Sequence, residues 1–305
     1  MHVDNFLGNI FVSCDRGCNF RLSIESIYMQ DFVHLHVHTH YSLLDGQASV
    51  SRLVDKAMKD GMKGIAVTDH GNMFGIKEFT NYVNKKNSGP KGEIKDLKKR
   101  IAGIESGEIE CEDKEAEIAD CRAKMAEAES KLFKPIVGCE MYVARRTMDK
   151  KEGKPDQSGY HLIVLAKNEK GYHNLIKLVS HAWTRGYYMR PRTDRSELEK
   201  YHEGLIVCSA CIGGEVPKKI INDQLEEAEE AVRWYKNLFG DDYYLELQRH
   251  KATVPRANHE AYPLQQKANA KLLELARKYD IKVICSNDVH FVDEENAEAH
   301  DRLIC

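Results

Sequence analysis

Four histidines occupy alternate positions in His34-Leu35-His36-Val37-His38-Thr39-His40. Successive side chains of a β-strand point to opposite faces, so the run puts all four imidazoles on one face and Leu35 and Val37 on the other. Residues two apart on a strand are about 6.6 Å apart, near enough for two imidazoles to reach one ion through bonds of ~2.1 Å. The first and last histidines, about 20 Å apart, cannot share that ion. The row therefore predicts a metal site that uses part of the run. His34, at the start of the strand, is expected to be structural, and His40, past His38, to contact substrate.

Further reactive residues stand where other apolar runs end: Thr68-Asp69-His70-Gly71-Asn72, Gly138-Cys139-Glu140, Cys208-Ser209-Ala210-Cys211, Gln248-Arg249-His250 and Asn287-Asp288-Val289-His290. One more run begins at Tyr160-His161, and the turn after the histidine row holds Asp45-Gly46. Six or seven strand ends bearing His, Asp, Glu or Cys predict a polynuclear metal centre. Imidazole mixed with carboxylate suits zinc, manganese or iron; an all-oxygen set would have suited magnesium or calcium. The Cys208/Cys211 pair has zinc-ribbon spacing but no second pair, so Cys211 alone is expected in the cluster, with Cys208 in the core. Closely spaced divalent ions favour phosphoryl transfer to water, which makes hydrolysis of a phosphate ester the expected reaction. Arg190, Arg192 and Arg249 are candidates to neutralise phosphate oxygens. Asp69 is expected to orient a ligand imidazole through its second nitrogen, with Thr39 and Ser42 hydrogen-bonding around the first turn.

The elements that must position these residues alternate. Apolar runs at 33–38, 64–68, 135–143, 161–166, 204–209, 243–248 and 282–286 are separated by helical patterns at 49–60, 74–85, 169–184, 224–239 and 264–279. Strand–helix alternation predicts a parallel sheet with crossover helices. Seven repeats over some 260 residues fit a closed, TIM-like (β/α)7 barrel better than an open sheet. Residues 87–132 interrupt the rhythm with balanced charges and two helical patterns that meet at Ser106-Gly107, the composition of a solvent-exposed helical hairpin inserted in the barrel. A partner-docking arm is the alternative for that segment.

Composition narrows the class. The 305 residues are 42% hydrophobic and 30% charged, which fits a soluble globular protein, and no stretch approaches the ~20 apolar residues of a membrane helix. A net charge of −3 gives no global pull toward nucleic acid, so a polyanion must be met by local cations or bound metal. Nine cysteines without a disulfide framework, and no secretory signal, predict reduced thiols in the cytoplasm. Residues 1–28 fit poorly with the strand–helix pattern that begins at the histidine row. Met29 reads as the natural start and the upstream piece, with Cys14 and Cys18, as a non-native or disordered extension. Residues 293–305 read as the start of a helix that stops short, as in a fragment of a longer chain.

These motifs, in this order, resemble the polymerase-and-histidinol-phosphatase (PHP) domain. Tyr-Ser-Leu-Leu-Asp-Gly (41–46), Gly-Tyr-Tyr-Met-Arg-Pro-Arg (186–192) and Glu-Ala-His-Asp (298–301) resemble the branch carried at the amino terminus of bacterial DNA polymerase III α subunits. The likeness spans about 30–305 apart from the insertion. It implies a distorted seven-unit barrel with two or three divalent metals, Zn2+ or Mn2+ (or Fe2+), held by His36, His38, Asp45, His70, Glu140, His161, Cys211, Asp288 and His290. Of these, Asp45, Asp288 and His290 would take part in catalysis. It implies a 3′–5′ exonuclease that proofreads single-stranded DNA 3′ ends within a replisome. The polymerase regions themselves are absent, so this chain alone would not synthesise DNA. Two alternatives remain: a histidinol-phosphatase-like phosphomonoesterase, and a non-catalytic, metal-stabilised scaffold module.

Overall fold

The computed structural model describes residues 32–251 and 260–304. The proposed extension 1–28, with Cys14, Cys18 and the expected start at Met29, lies outside the described residues. Among the described residues seven strands form: β1 (Gly64–Val67), β2 (Lys134–Ala144), β3 (Gly159–Ala166), β4 (Arg192–Thr193), β5 (Leu205–Cys208), β6 (Tyr243–Gln248) and β7 (Lys282–Ser286). They pair in the order β1-β2-β3-β5-β6-β7, with the short β4 paired to β2.

The histidine segment closes this curled sheet into a distorted barrel. On one side the Ala66 and Thr68 amides donate to the His34 and Val37 carbonyls, both at 2.9 Å. On the other, the His38 amide donates to the Val289 carbonyl (2.7 Å) and the Val289 amide to the His36 carbonyl (3.1 Å). Counted with this segment, and without β4, seven extended pieces ring the barrel, as the repeat count predicts.

Two expectations are corrected here. The sheet is not wholly parallel: β3 runs antiparallel to both β2 and β5. Nor is the histidine row a regular strand. The chain bends at His36, so Leu35 packs with Ile163 and Leu165 inside the barrel whereas Val37 joins Ile65 and Val67 on its outer side. The four imidazoles therefore do not share one face.

Alternation along the regular strands divides the molecule. Met141, Leu162, Val164, Val207 and Leu245 face outward onto helices. Those helices are α5 (Glu169–Thr184), α7 (Glu215–Ile221), α8 (Leu225–Phe239) and α9 (Ala261–Tyr279), which come after α1 (Val50–Lys59), α2 (Ile76–Lys86), α3 (Ser88–Ser106) and α4 (Lys114–Ser130), with α6 (Arg195–Tyr201) between α5 and α7. The last helix, α10, spans Ala297–Ile304. Inside the barrel, Ile136, Ile163, Leu165, Ile206, Tyr244 and Ile284 form an apolar plug at one end. Two to four residues nearer the other end of the barrel, the inward positions of β2, β3, β6 and β7 turn polar. Helix starts are fixed locally: Ser49, Asn168 and Asp194 each accept a backbone N–H of the first turn of α1, α5 and α6.

The inserted hairpin is α3 and α4. Gly107, at φ +82°, closes α3 in the left-handed conformation, and Arg100 pairs with Glu117 across the hairpin at 2.6 Å. Its neck is clamped: the Asn87 amide nitrogen donates to the Phe133 carbonyl (2.7 Å), and the Phe133 N–H donates back to Asn87 Oδ1 (3.0 Å).

Candidate metal centre

The polar mouth of the barrel is built by strand direction. Inward alternation carries Ile136 to Glu140 on β2, Ile206 to Cys208 and then Cys211 after β5, Tyr244 to Glu246 on β6, and Ile284 to Ser286 and Asp288 after β7. On antiparallel β3 the same alternation runs backward, from Leu165 through Ile163 to His161, which is why His161 stands at that strand's beginning. Positive φ angles at Leu44 (65°), Ala210 (62°) and Asp288 (50°) turn the chain at or just before Asp45, Cys211 and Asp288. Non-glycine residues in that region cost of order 1–3 kcal/mol each, and such strain concentrates at functional sites.

All nine donors implied by the resemblance come together. His36 Nε2 lies 3.0 Å from Asp288 Oδ1 and 3.3 Å from Glu140 Oε1; His38 Nε2 lies 3.2 Å from the same Asp288 oxygen. Glu140 Oε1 also meets His161 Nδ1 at 2.7 Å, and Cys211 Sγ is 3.5 Å from that nitrogen. The other Glu140 oxygen contacts His70 Nδ1, while His70 Nε2 faces Asp45 Oδ2 at 2.7 Å. His290 Nε2 approaches the same Asp45 oxygen at 3.5 Å. Three donor groups result: His36–His38–Asp288, His38–His70–His290 and Glu140–His161–Cys211, the atoms of each within 4.8 Å of one another. Glu140, with each oxygen facing a different group, joins them.

These residues fit divalent ions. His36 Nε2, His38 Nε2 and Asp288 Oδ1 are buried and make no directed hydrogen bond. Unpaired buried polar atoms are costly, and separations near 3 Å are what donors around an ion with ~2.1 Å bonds must have. The second nitrogens are spoken for. His36 Nδ1–H donates to Glu246 (2.7 Å), His290 Nδ1–H to the Asp288 carbonyl (2.8 Å), and His38 Nδ1–H to Ser42 Oγ (3.0 Å). In the neutral rings this leaves Nε2 of His36, His38 and His290 with the lone pair a metal would take.

Electrostatics agree. Burial, reinforced by nearby His70, lowers the His38 pKa to about 4, so it is neutral and ready to ligate. Burial opposes charge on His70 as well, but Glu140 and Asp45 outweigh it and raise that pKa to about 10. Burial among carboxylates pushes the Cys211 thiol well above its ordinary value. A thiolate there calls for a compensating cation.

The expected supporting residues are partly rearranged. Asp69 does not orient His70. Its Oδ1 accepts from Ser42 Oγ–H at 2.7 Å, and Ser42 holds His38; the Thr39 N–H and hydroxyl donate to the same carboxylate. Arg192, expected to bind phosphate, is fully buried, its Nε and Nη2 donating to the Gly186 and Met148 carbonyls. That guanidinium fastens a loop. Arg249 is exposed after β6, its guanidinium 5.9 Å over the Tyr262 ring. His40 is exposed, its ring tilted against Tyr41, and half-buried His34 packs edge-on to Phe32. Only Arg190 among the three arginines lines the cleft of about 570 Å³ that opens at Asp45, His70 and His161.

Two participants escape sequence reasoning. Glu246 is buried on β6 and accepts from His36, Ser286 and Gln248. Its signal is a carboxylate at an inward position between aliphatic neighbours in Leu245-Glu246-Leu247. His300, on α10, places Nε2 3.4 Å from Asp45 Oδ1; it lies in the Glu-Ala-His-Asp stretch, which gave no geometric hint.

A family model described as the PHP domain matches residues 34–250. The DNA polymerase III α subunit of Borreliella burgdorferi is 39% identical over 275 residues, which cover 90% of this chain and 19% of that one. The corresponding subunit of Thermus aquaticus is 36% identical over 278 residues, covering 90% and 18%. The chain thus spans about a fifth of the length of these relatives. Among solved structures, an amidohydrolase from Chromobacterium violaceum aligns over 89% of this chain and 96% of that one, with a TM-score of 0.42 at 10% identity.

Proposed function

This chain belongs to the PHP domain family, and on that premise we propose that its centre is a metal-dependent phosphodiesterase that removes nucleotides from single-stranded DNA 3′ ends. The observation that carries the reading is the convergence of nine donors on a cleft, with the buried His36, His38 and Asp288 atoms left without hydrogen-bond partners. Divalent ions bound there, zinc or manganese by donor type, supply a water of lowered pKa and neutralise phosphate oxygens. The chain does the rest. Glu246, Ser42 and the Asp288 carbonyl fix which nitrogen of His36, His38 and His290 faces the centre. Arg190, on the cleft wall, is placed to bind a non-bridging phosphate oxygen. Asp45 and His290 stand at the rim of the cleft and complete the donor set there.

The likeness to polymerase α subunits favours a replicative context, with the remainder of a polymerase chain and other replisome proteins as partners, acting in the cytoplasm. Among the described residues no helix is long and apolar enough to cross a membrane. The test is digestion of a 5′-labelled single strand by the metal-loaded chain. A ladder shortening from the 3′ end, abolished by chelator and by Asp288→Asn, supports the reading. Hydrolysis of histidinol phosphate alone would replace it with the phosphomonoesterase. A second reading, a metal-stapled scaffold, is favoured by the origin of the donors in segments spread from His36 to His290. It predicts a metal-dependent rise in melting temperature without hydrolysis of any phosphate ester.

A further inference from the structure

We propose that the cleft beside the metal centre carries a stacking platform for unpaired nucleobases, formed by Phe74, Trp183 and Tyr187. The three rings make one row: Phe74 and Trp183 are 5.7 Å apart between centroids, and Trp183 and Tyr187 5.6 Å apart at an angle of 20°. They are 56%, 40% and 49% exposed. Trp183 is nonetheless anchored. Its indole N–H donates to the Gly71 carbonyl at 2.8 Å, which satisfies the ring's polar atom and ties it to the residue after His70. Gly71 itself sits at φ +61° against Pro191 and Tyr142, where an added Cβ would meet Pro191 at 2.6 Å.

The platform is continuous with the centre. All three rings line the same cleft as Asp45, His70 and His161. Arg190 lines that cleft too, 5.8 Å over the Tyr142 ring, which in turn stacks 6.2 Å from His70. A strand whose terminal phosphodiester lies at the metals would meet a cation at its next phosphate and flat apolar faces at its bases. That pairing of backbone charge with stacking surface is how sequence-tolerant single-strand binding works. This inference rests on the phosphodiesterase reading and adds the subsite that would hold the 3′-terminal bases.

Binding can be read without cleavage. Trp183 and Trp234 are the two tryptophans of the chain, so Trp234→Phe leaves Trp183 as the reporter. In chelator, a thymidine tetranucleotide should quench Trp183 emission and bind about tenfold or more tightly than an abasic tetramer with the same phosphates. Tyr187→Ala and Phe74→Ala should each weaken the thymidine strand by about tenfold. Both should leave the abasic strand and the melting temperature unchanged, and Tyr187→Phe should restore binding. Equal affinities for the two tetramers, absence of quenching, or indifference to both alanine variants would overturn the platform and leave the row as a protein-contact surface. Base-dependent binding by a chain that cuts no polynucleotide would keep the platform and remove the hydrolytic reading. Cutting with a KM unmoved by Tyr187→Ala would do the reverse.

Discussion

At the scale of residues, the centre is a set of donors whose protonation is governed by the neighbours that aim them. Glu246 is the clearest case, since it accepts the His36 Nδ1 proton from a fully buried position. Glu246→Gln keeps the shape but removes the charge that makes the imidazole a better ligand. It should lower metal affinity about 10- to 100-fold in a calorimetric titration, the range for groups that orient a ligand imidazole; unchanged affinity would show that Glu246 serves only the core. His70 fixes the sign of a pH effect. With its pKa raised to about 10 by Glu140 and Asp45, the metal-free fold gains from its proton below the unfolded value near 6.5 and loses that gain as pH climbs toward 10. Metal must displace the same proton, so its binding strengthens over the same window. The melting-temperature difference between zinc-loaded and chelated chain should therefore widen from pH 6.5 to 9.5. A constant or shrinking difference would contradict this assignment of His70.

At the scale of elements, short fixed features decide where the donors point. Gly46 allows the first loop to fold back on itself, since a Cβ there would lie 2.0 Å from the Thr39 carbonyl oxygen, and so sets the position of Asp45. The inserted hairpin has a separate logic. Its base is pinned by the two Asn87–Phe133 hydrogen bonds, and none of its residues supplies a donor to the centre. Asn87→Ala leaves a buried N–H and a carbonyl of Phe133 unpaired and should cost about 1–3 kcal/mol, read as a lower denaturation midpoint. Metal stoichiometry should not move. A change in stoichiometry would mean that the hairpin shapes the centre from a distance.

At the scale of the whole molecule, the sequence exposes the parts that repeat and hides those that depend on neighbours. The seven apolar runs announce the barrel because strands covered on both faces read as continuous apolar stretches, and the donors stand out because most of them stand at the ends of those runs. Strand direction is hidden: Tyr160-to-Ala166 alternates identically read either way, and only its pairing with β2 and β5 shows that it runs antiparallel. The bend at His36 is hidden too, because a row of alternate histidines satisfies the strand pattern that the fold abandons there. Arg192 looks like a surface cation until the loop it fastens closes around it. Glu246 and His300 act through contacts with residues 210 and 255 positions away, beyond any local pattern.

The central claim is that these nine donors form a metal centre that cleaves phosphodiesters. Asp288→Asn tests it most directly, because asparagine tolerates the left-handed backbone at φ +50° while removing the charge that His36 and His38 face. Bound metal and release of 3′-terminal nucleotide from a labelled single strand should be measured on the same preparations of the parent and the variant. The account predicts two or three divalent ions and nucleotide release in the parent, with fewer ions and no release in a variant of unchanged fold. Full nucleotide release by Asp288→Asn, or by the chelated parent, would contradict it.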